Sequence, residues 1–170
     1  VLNTTIFGEA PFRNVLCHGT ILAEDGSKMS KSKKNYPDPW LIVDRYGADA
    51  LRFYLLASPV VSGEELNFSE QGVKETSQKV NMLLYNVWSF YRMYSAETLQ
   101  PTTYNLQPKH VLDKWILERL KKLIGTVTFQ LDHYNTVKAC REIVEFVSEL
   151  STWNVQIGRA SCRERVSSPV

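Results

Sequence analysis

The 170-residue chain has few metal ligands, with three cysteines (Cys17, Cys140 and Cys162) and three histidines. The cysteines lie far apart, no Cys-x-x-Cys pair occurs and the histidines do not cluster, so neither a zinc site nor a disulfide framework is signalled. A reduced, intracellular setting, and a cytoplasmic location, are the expectation. Long apolar runs are missing as well: nothing approaches the roughly 18 apolar residues of a membrane span, and no basic region followed by an apolar stretch opens the chain. The chain is therefore expected to be soluble, with no membrane partner. A charge excess is also lacking. The formal total is +2, and setting aside Arg159, Arg163, Arg165 and Glu164 of the C-terminal tail leaves 17 basic and 17 acidic residues. Net charge says nothing about partners, so any nucleic-acid contact must come from local placement. The chain also begins at Val1 rather than Met. It reads as a piece of something longer, whose missing N-terminal and C-terminal parts are expected to complete it.

What is present is a composition 44% hydrophobic and 22% charged, enough for one or two small globular domains with a core. The conspicuous stretch is Asp25 to Asn35, a polar loop with Lys28, Lys31, Lys33 and Lys34 among Ser27, Ser30 and Ser32. Lysines packed this tightly repel one another, and ammonium groups interleaved with hydroxyls are a natural lining for polyphosphate. A merely solvated basic loop is the other reading.

Around this loop the pattern is regular. Residues 14–23 alternate, with Val15, Cys17, Gly19, Ile21 and Leu22, and predict a strand whose partners lie upstream of Val1 or in another chain. After the loop, Asp38 as N-cap and Pro39 at the first helical position predict a short helix to Tyr46. Gly47 breaks it, and a second helix is predicted from Ala48 to Ala57, with Asp49 in its first turn and Ser58-Pro59 as its stop. Residues 60–67 read as a polar connector. From Ser69 to about Ala96, Val73, Val80, Leu84, Val87, Tyr91 and Tyr94 share one face of a long helix. Residues 97–111 have no period and read as a loop. A helix capped by Asp113 then runs to about Leu131 with Ile116, Leu120, Leu123, Val127 and Leu131 inward. Another runs from Thr136 to about Trp153 with Val137, Cys140, Val144, Val147 and Ser151 inward. Three such helices would bury one another as an antiparallel bundle.

Lys28-Met29-Ser30-Lys31-Ser32, followed by Asn35, Pro39 and the run Tyr46-Gly47-Ala48-Asp49-Ala50-Leu51-Arg52, resembles the second signature of the class I aminoacyl-tRNA synthetases. Asn35 to Pro39, residues 55–68 and Asp113 to Leu117 are most similar to the isoleucyl branch of that family, with the valyl branch as nearest rival. A P-loop is excluded: Gly19 and Gly26 are seven apart and Gly26 is followed by Ser27, so Gly-x-x-x-x-Gly-Lys fails.

The resemblance implies a mostly α, α+β fragment: residues 1–68 as the C-terminal end of a Rossmann-type catalytic domain, and residues 69–154 as part of an antiparallel anticodon-binding bundle. It implies ATP-dependent joining of isoleucine to its tRNA through an adenylate, with ATP, isoleucine, tRNA and ATP-borne Mg²⁺ as partners and no metal ligand in this segment. A non-catalytic, synthetase-derived RNA-binding module is the alternative. Catalysis falls to Lys31 and then Lys28. Activation builds charge on the departing pyrophosphate, and a fixed cation there favours the transition state over the ground state. Ser30 and Ser32 would bond phosphate or hold the loop's shape, Met29 would pack beside the adenine, and Gly26 would act as hinge. His18 and Gly19, at the strand's end, stand where the family's site opens; His18 there is either a nucleotide contact or a structural histidine. The piece by itself is expected to be inactive.

Lys114, Arg119, Lys121, Lys122, Lys138 and Arg141 could meet RNA phosphates, but Glu118, Glu142, Glu145 and Glu149 interleave with them, so a solvated face is as good a reading. After Trp153 the family pattern of Tyr, Val and Arg gives way to Asn154, Val155 and Gln156. Residues 155–170 read as a foreign extension.

Overall fold

The alternating run ahead of the lysine loop forms much less strand than its pattern predicts. The structure, a computed structural model, describes residues 2–30, 32, 34–94 and 111–152. It opens with a short helix, α1 (Leu2–Phe7), and the predicted strand over 14–23 shrinks to β1 (Ile21–Leu22). A strand extends only as far as it has a neighbour to take its peptide groups. Here the neighbour is β2 (Leu66–Asn67), which pairs in parallel with Ile21 opposite Leu66 and Leu22 opposite Asn67. Val15 and Leu16, lying before that pairing, are exposed.

One partner of β1 is thus supplied by the same chain. It was hidden in residues 60–67, too polar to predict as strand. Parallel strands need a crossover, and here helices supply it. Asp38 is extended and its Oδ1 accepts the Trp40 N–H at 2.9 Å, with Pro39 behind it opening α2 (Pro39–Tyr46). The chain turns at Gly47, where φ is 88°, and enters α3 (Ala48–Ala57). Ser58 ends α3 by donating both its N–H and its hydroxyl to Leu55 O, at 3.2 and 2.7 Å. A 3₁₀ turn at Pro59–Ser62 then leads to β2.

Close contacts fix this crossover. Gly19 donates its N–H to Val60 O at 2.7 Å, and a Cβ on Gly19 would lie 1.7 Å from Glu64 O. Ile42, Ala50 and Val73 form the buried cluster, with Tyr46, Leu51, Tyr54 and Phe68 packed against it. Tyr54 and Phe68 meet edge to face with centroids 5.9 Å apart.

Ser69 caps the long helix by accepting the Gly72 N–H. The helix comprises α4 (Glu70–Thr76), a π turn at Ser77–Met82 and α5 (Leu83–Tyr94). Val73 and Val80 are buried, but Leu84 and Tyr91, predicted inward, are exposed. The π turn winds more residues per turn than the 3.6 of an α-helix, which rotates the face beyond it; Leu83, Val87 and Phe90 carry the half-buried side there.

In the C-terminal part, α6 (Val111–Asp132) has begun by Val111, so Asp113 is a first-turn carboxylate and not the predicted cap. Leu120 and Leu131 are exposed rather than inward, and no residue of α6 is buried, because among the described elements α6 packs mainly on α7 (Thr136–Glu149). Arg119 near the start of α6 meets Glu149 at the end of α7, Nε to Oε2 at 2.7 Å, so the two helices run in opposite directions. The predicted face of α7 holds: Cys140 and Val147 are buried, joined by Ala139 and Phe146, while Val137, Val144 and Ser151 are half-buried. Its contacts extend to α3, the 3₁₀ turn, the π turn and α5. Of the predicted loop over 97–111, Val111 belongs to α6 and the rest lies outside the described residues, as do Trp153 and the 155–170 tail.

Gly72 packs on Tyr54 as Gly19 packs on Glu64: a Cβ on Gly72 would lie 2.6 Å from the ring's Cε2. A ring can tilt and a paired backbone cannot, so Gly72→Ala should cost about 1–3 kcal/mol and Gly19→Ala more, measured by urea unfolding of the chain. Equal stabilities would show that the Gly19 contact is not rigid.

Candidate functional site

The lysine loop leaves β1 through a tight turn and returns at the start of α2. Ala23 N–H donates to Ser27 O at 2.8 Å, Gly26 N–H to Ala23 O at 2.9 Å, and Ser27 N–H to Asp25 Oδ1 at 2.9 Å. Leu22 and Lys28 form an isolated antiparallel bridge, so the loop's first arm folds back beside β1. On its outer side β1 is paired with β2, which makes the loop an extension of that small sheet.

Asn35 closes the loop's second half, a role that the sequence reading gave it no part in. Its Oδ1 accepts the Ser30 N–H at 2.9 Å, and its Nδ2 donates to Ser27 Oγ at 2.8 Å and Lys28 O at 3.1 Å. Lys34 N–H donates to Ser30 O at 3.0 Å. Lys34 has φ 49°, a left-handed conformation that costs a non-glycine residue about 1 kcal/mol and is held by its surroundings.

Of the candidate residues, Lys28 and Ser32 are exposed, Met29 and Ser30 are half-buried, and Ser30 Oγ and Ser32 Oγ lie 2.9 Å apart in a hydrogen bond. Among the described residues neither Lys28 nor Lys34 is held in an ion pair. Lys31 and Lys33 lie outside the described residues. His18 is exposed, and its Nδ1 donates to Gly19 O at 2.9 Å. Gly19 serves the crossover contact with Val60 and Glu64 described above.

A cleft of about 210 Å³ opens at the foot of the loop, lined by Met29, Lys34, Asn35, Tyr36, Phe68 and Glu70 among others. That is smaller than the roughly 300–1,000 Å³ of a ligand pocket, so it suits one edge of a site. Its floor is firm. Tyr46 Oη donates to Glu70 Oε1 at 2.9 Å, and Arg45 pairs with the same oxygen, tying α2 to α4. The Tyr46 hydroxyl first and then Arg45 hold the Glu70 carboxyl below its ordinary value of 4.5. No glycine pattern or motif marks this triad in sequence; its only sign is an acid opening a helix.

No set of three His, Cys, Asp or Glu residues that could hold a metal occurs among the described residues. The loop's ammonium and hydroxyl groups suit an anion instead. Burial raises the Cys140 thiol above its usual value, which suits a packing role and not a nucleophile's.

Residues 1–68 match the family described as tRNA synthetases class I (I, L, M and V), and residues 113–167 match the anticodon-binding domain of tRNA ligase. The chain belongs to the class I tRNA synthetases. Among the relatives of this synthetase chain, the isoleucine–tRNA ligase of Bdellovibrio bacteriovorus is 38% identical over 161 residues, covering 94% of this chain and 15% of the relative. The cytoplasmic isoleucine–tRNA ligase of Mus musculus is 40% identical over 168 residues, covering 94% of this chain and 13% of the relative. The chain thus spans about one-seventh of the length of the curated relatives it matches. A crystal structure of LeuRS from Agrobacterium radiobacter, in a ternary complex with tRNA and LeuAMS, aligns with a TM-score of 0.65 at 25% identity, covering 88% of this chain and 20% of that one.

Because the carboxyl of Glu70 is held below 4.5, the unfolded chain binds the extra proton first as pH falls. Its contribution is present above 4.5 and is lost as pH drops through the lowered folded value. Tyr46→Phe removes the leading cause, so the stability gap between wild type and variant should shrink as pH falls below 4.5 in urea titrations. A gap independent of pH would show that the Tyr46–Glu70 bond is not made.

Proposed function

We propose that, within a protein of the relatives' length, this segment supplies the pyrophosphate-side clamp of an isoleucine-activating site and the first helices of a tRNA-binding bundle. The observation that carries this reading is the exposed lysine and serine loop, closed on itself by Asn35, in a chain whose first 68 residues match the class I synthetases. Isoleucine in particular is supported by relatives at 38% and 40% identity that bear that name.

In the proposed reaction the isoleucine carboxylate attacks the α-phosphate of ATP, pyrophosphate leaves, and the adenylate then passes isoleucine to tRNA. Charge grows on the leaving group during the first step. Lys31, with Lys28 assisting, offsets that charge where it develops, which lowers the barrier more than it tightens ATP binding. Ser30 and Ser32 hold the loop's curvature through their mutual bond and present hydroxyl groups to phosphate oxygens. Met29 packs at the cleft beside Phe68. Mg²⁺ would arrive with the triphosphate and neutralise part of its charge. His18 and Gly19 flank the nucleotide from the segment that precedes β1.

In this reading β1, β2 and the α2–α3 crossover are the end of a Rossmann-type catalytic domain, and the long helix with α6 and α7 begins an antiparallel bundle on which tRNA lies. The domain limits are residues 1–68 and 69–154, and the protein acts in the cytoplasm. Among the described residues no helix is long and apolar enough to cross a membrane.

The test is isoleucine-dependent exchange of pyrophosphate into ATP, followed by charging of tRNA, with valine compared. A protein of the relatives' length carrying this segment should exchange with isoleucine, and the 170-residue chain alone should not. Lys31→Ala should lower kcat by roughly a hundred- to a thousand-fold with a small change in the KM for ATP, and Lys28→Ala should cost less. Preference for valine, or unchanged turnover in Lys31→Ala, would refute the assignment of substrate or of clamp respectively.

A further inference from the structure

We propose that Asn35 is a positioning residue for the activation step, a side-chain clasp that fixes the two ends of the segment carrying Lys31. This rests on the ATP-activating reading above. Both peptide groups of Ser30 are engaged across the loop, its N–H by Asn35 Oδ1 at 2.9 Å and its carbonyl by the Lys34 N–H at 3.0 Å. Ser30 and Lys34 are therefore fixed points on either side of Lys31.

The second contact of Asn35 runs to the loop's other arm. Its Nδ2 bonds Ser27 Oγ and Lys28 O, so one amide links residues 27, 28 and 30 to the start of α2. Ser27 O in turn accepts the Ala23 N–H at 2.8 Å, which passes the restraint to the end of β1. Asn35 is half-buried and lines the cleft together with Phe68 and Tyr36.

The chemistry of the clasp demands an amide. One acceptor and two donors are used together, a set that aspartate, with two acceptors, cannot provide. Aspartate would keep the Ser30 bond, but would turn an oxygen toward Lys28 O and add negative charge where an anion is to bind. Asn35 does not touch the reacting atoms; it acts by limiting how far the lysines of the loop can stray from the geometry that the transition state needs.

The experiment uses a protein of the relatives' length carrying this segment, in wild-type, Asn35→Ala and Asn35→Asp forms. Isoleucine-dependent pyrophosphate exchange in Asn35→Ala should show a kcat lower by roughly ten- to a hundred-fold, from the lost hydrogen bonds across the loop, with the KM for isoleucine unchanged. Asn35→Asp should be at least as impaired. Limited trypsin cleavage after Lys31 should be faster in both variants and no longer slowed by added ATP, while the melting temperature stays near that of wild type. Wild-type turnover in either variant would overturn the proposal, as would a kcat loss matched by a general loss of stability. If the wild-type protein shows no isoleucine-dependent exchange, the activity reading fails by itself. The clasp is then judged by the trypsin rate at Lys31, which needs no catalysis, and an unchanged rate overturns it.

Discussion

The packing of Ile42, Ala50 and Val73 is the contact on which the rest of the molecule depends. Each comes from a different helix, α2, α3 and α4, and together they hold the crossover that makes β1 and β2 neighbours. The lysine loop begins at one end of that crossover and rejoins it at α2. Its lysines repel one another, so the loop's shape must come from restraint at its ends. Tyr54 completes the arrangement, its ring against Gly72 and its hydroxyl accepting the Ser69 N–H at 3.4 Å, which seats the long helix on α3.

Polar contacts refine what the apolar cluster positions. Glu70 receives Tyr46 and Arg45 at the junction of α2 and α4, immediately below the cleft. Both partners and the acid are partly solvated, so their worth lies more in fixing the angle between the helices than in stability. Asn35 does the corresponding work above the cleft. A firm floor and a clasped loop leave the exposed ammonium of Lys28 on a short, defined stretch of backbone, the preorganisation expected of a group that stabilises developing charge.

The helical hairpin is tied to the same body. Thr136 at the start of α7 donates its hydroxyl to Leu56 O near the end of α3, at 3.1 Å, and Asn14 Nδ2 donates to Tyr134 Oη, also at 3.1 Å. The turn between α6 and α7 therefore rests on the segment that precedes β1 and on the crossover. These two bonds tie the helices that follow the loop to the crossover and to the segment ahead of β1.

Local chemistry determined much of this from sequence alone. Asp38, Pro39, Gly47 and Ser58-Pro59 set α2 and α3 because caps and breakers act within a few residues, and the stripe on α7 follows from its period. Lys28 and its neighbouring serines set this loop apart through composition and spacing. Tertiary structure decided what depends on distant partners. β1 became two residues long because β2, hidden in a polar connector, offers only two; Leu84 and Tyr91 turned outward because a π turn shifts the register; Leu120 and Leu131 stayed exposed because among the described residues α6 packs mainly on one helix. Gly19 and Gly72 are glycines because of Glu64 and Tyr54, which lie 45 and 18 residues away in sequence. The Asn35 clasp belongs with these: an asparagine before a turn is ordinary in sequence, and only the folded loop brings Ser27, Lys28 and Ser30 within reach of its single amide.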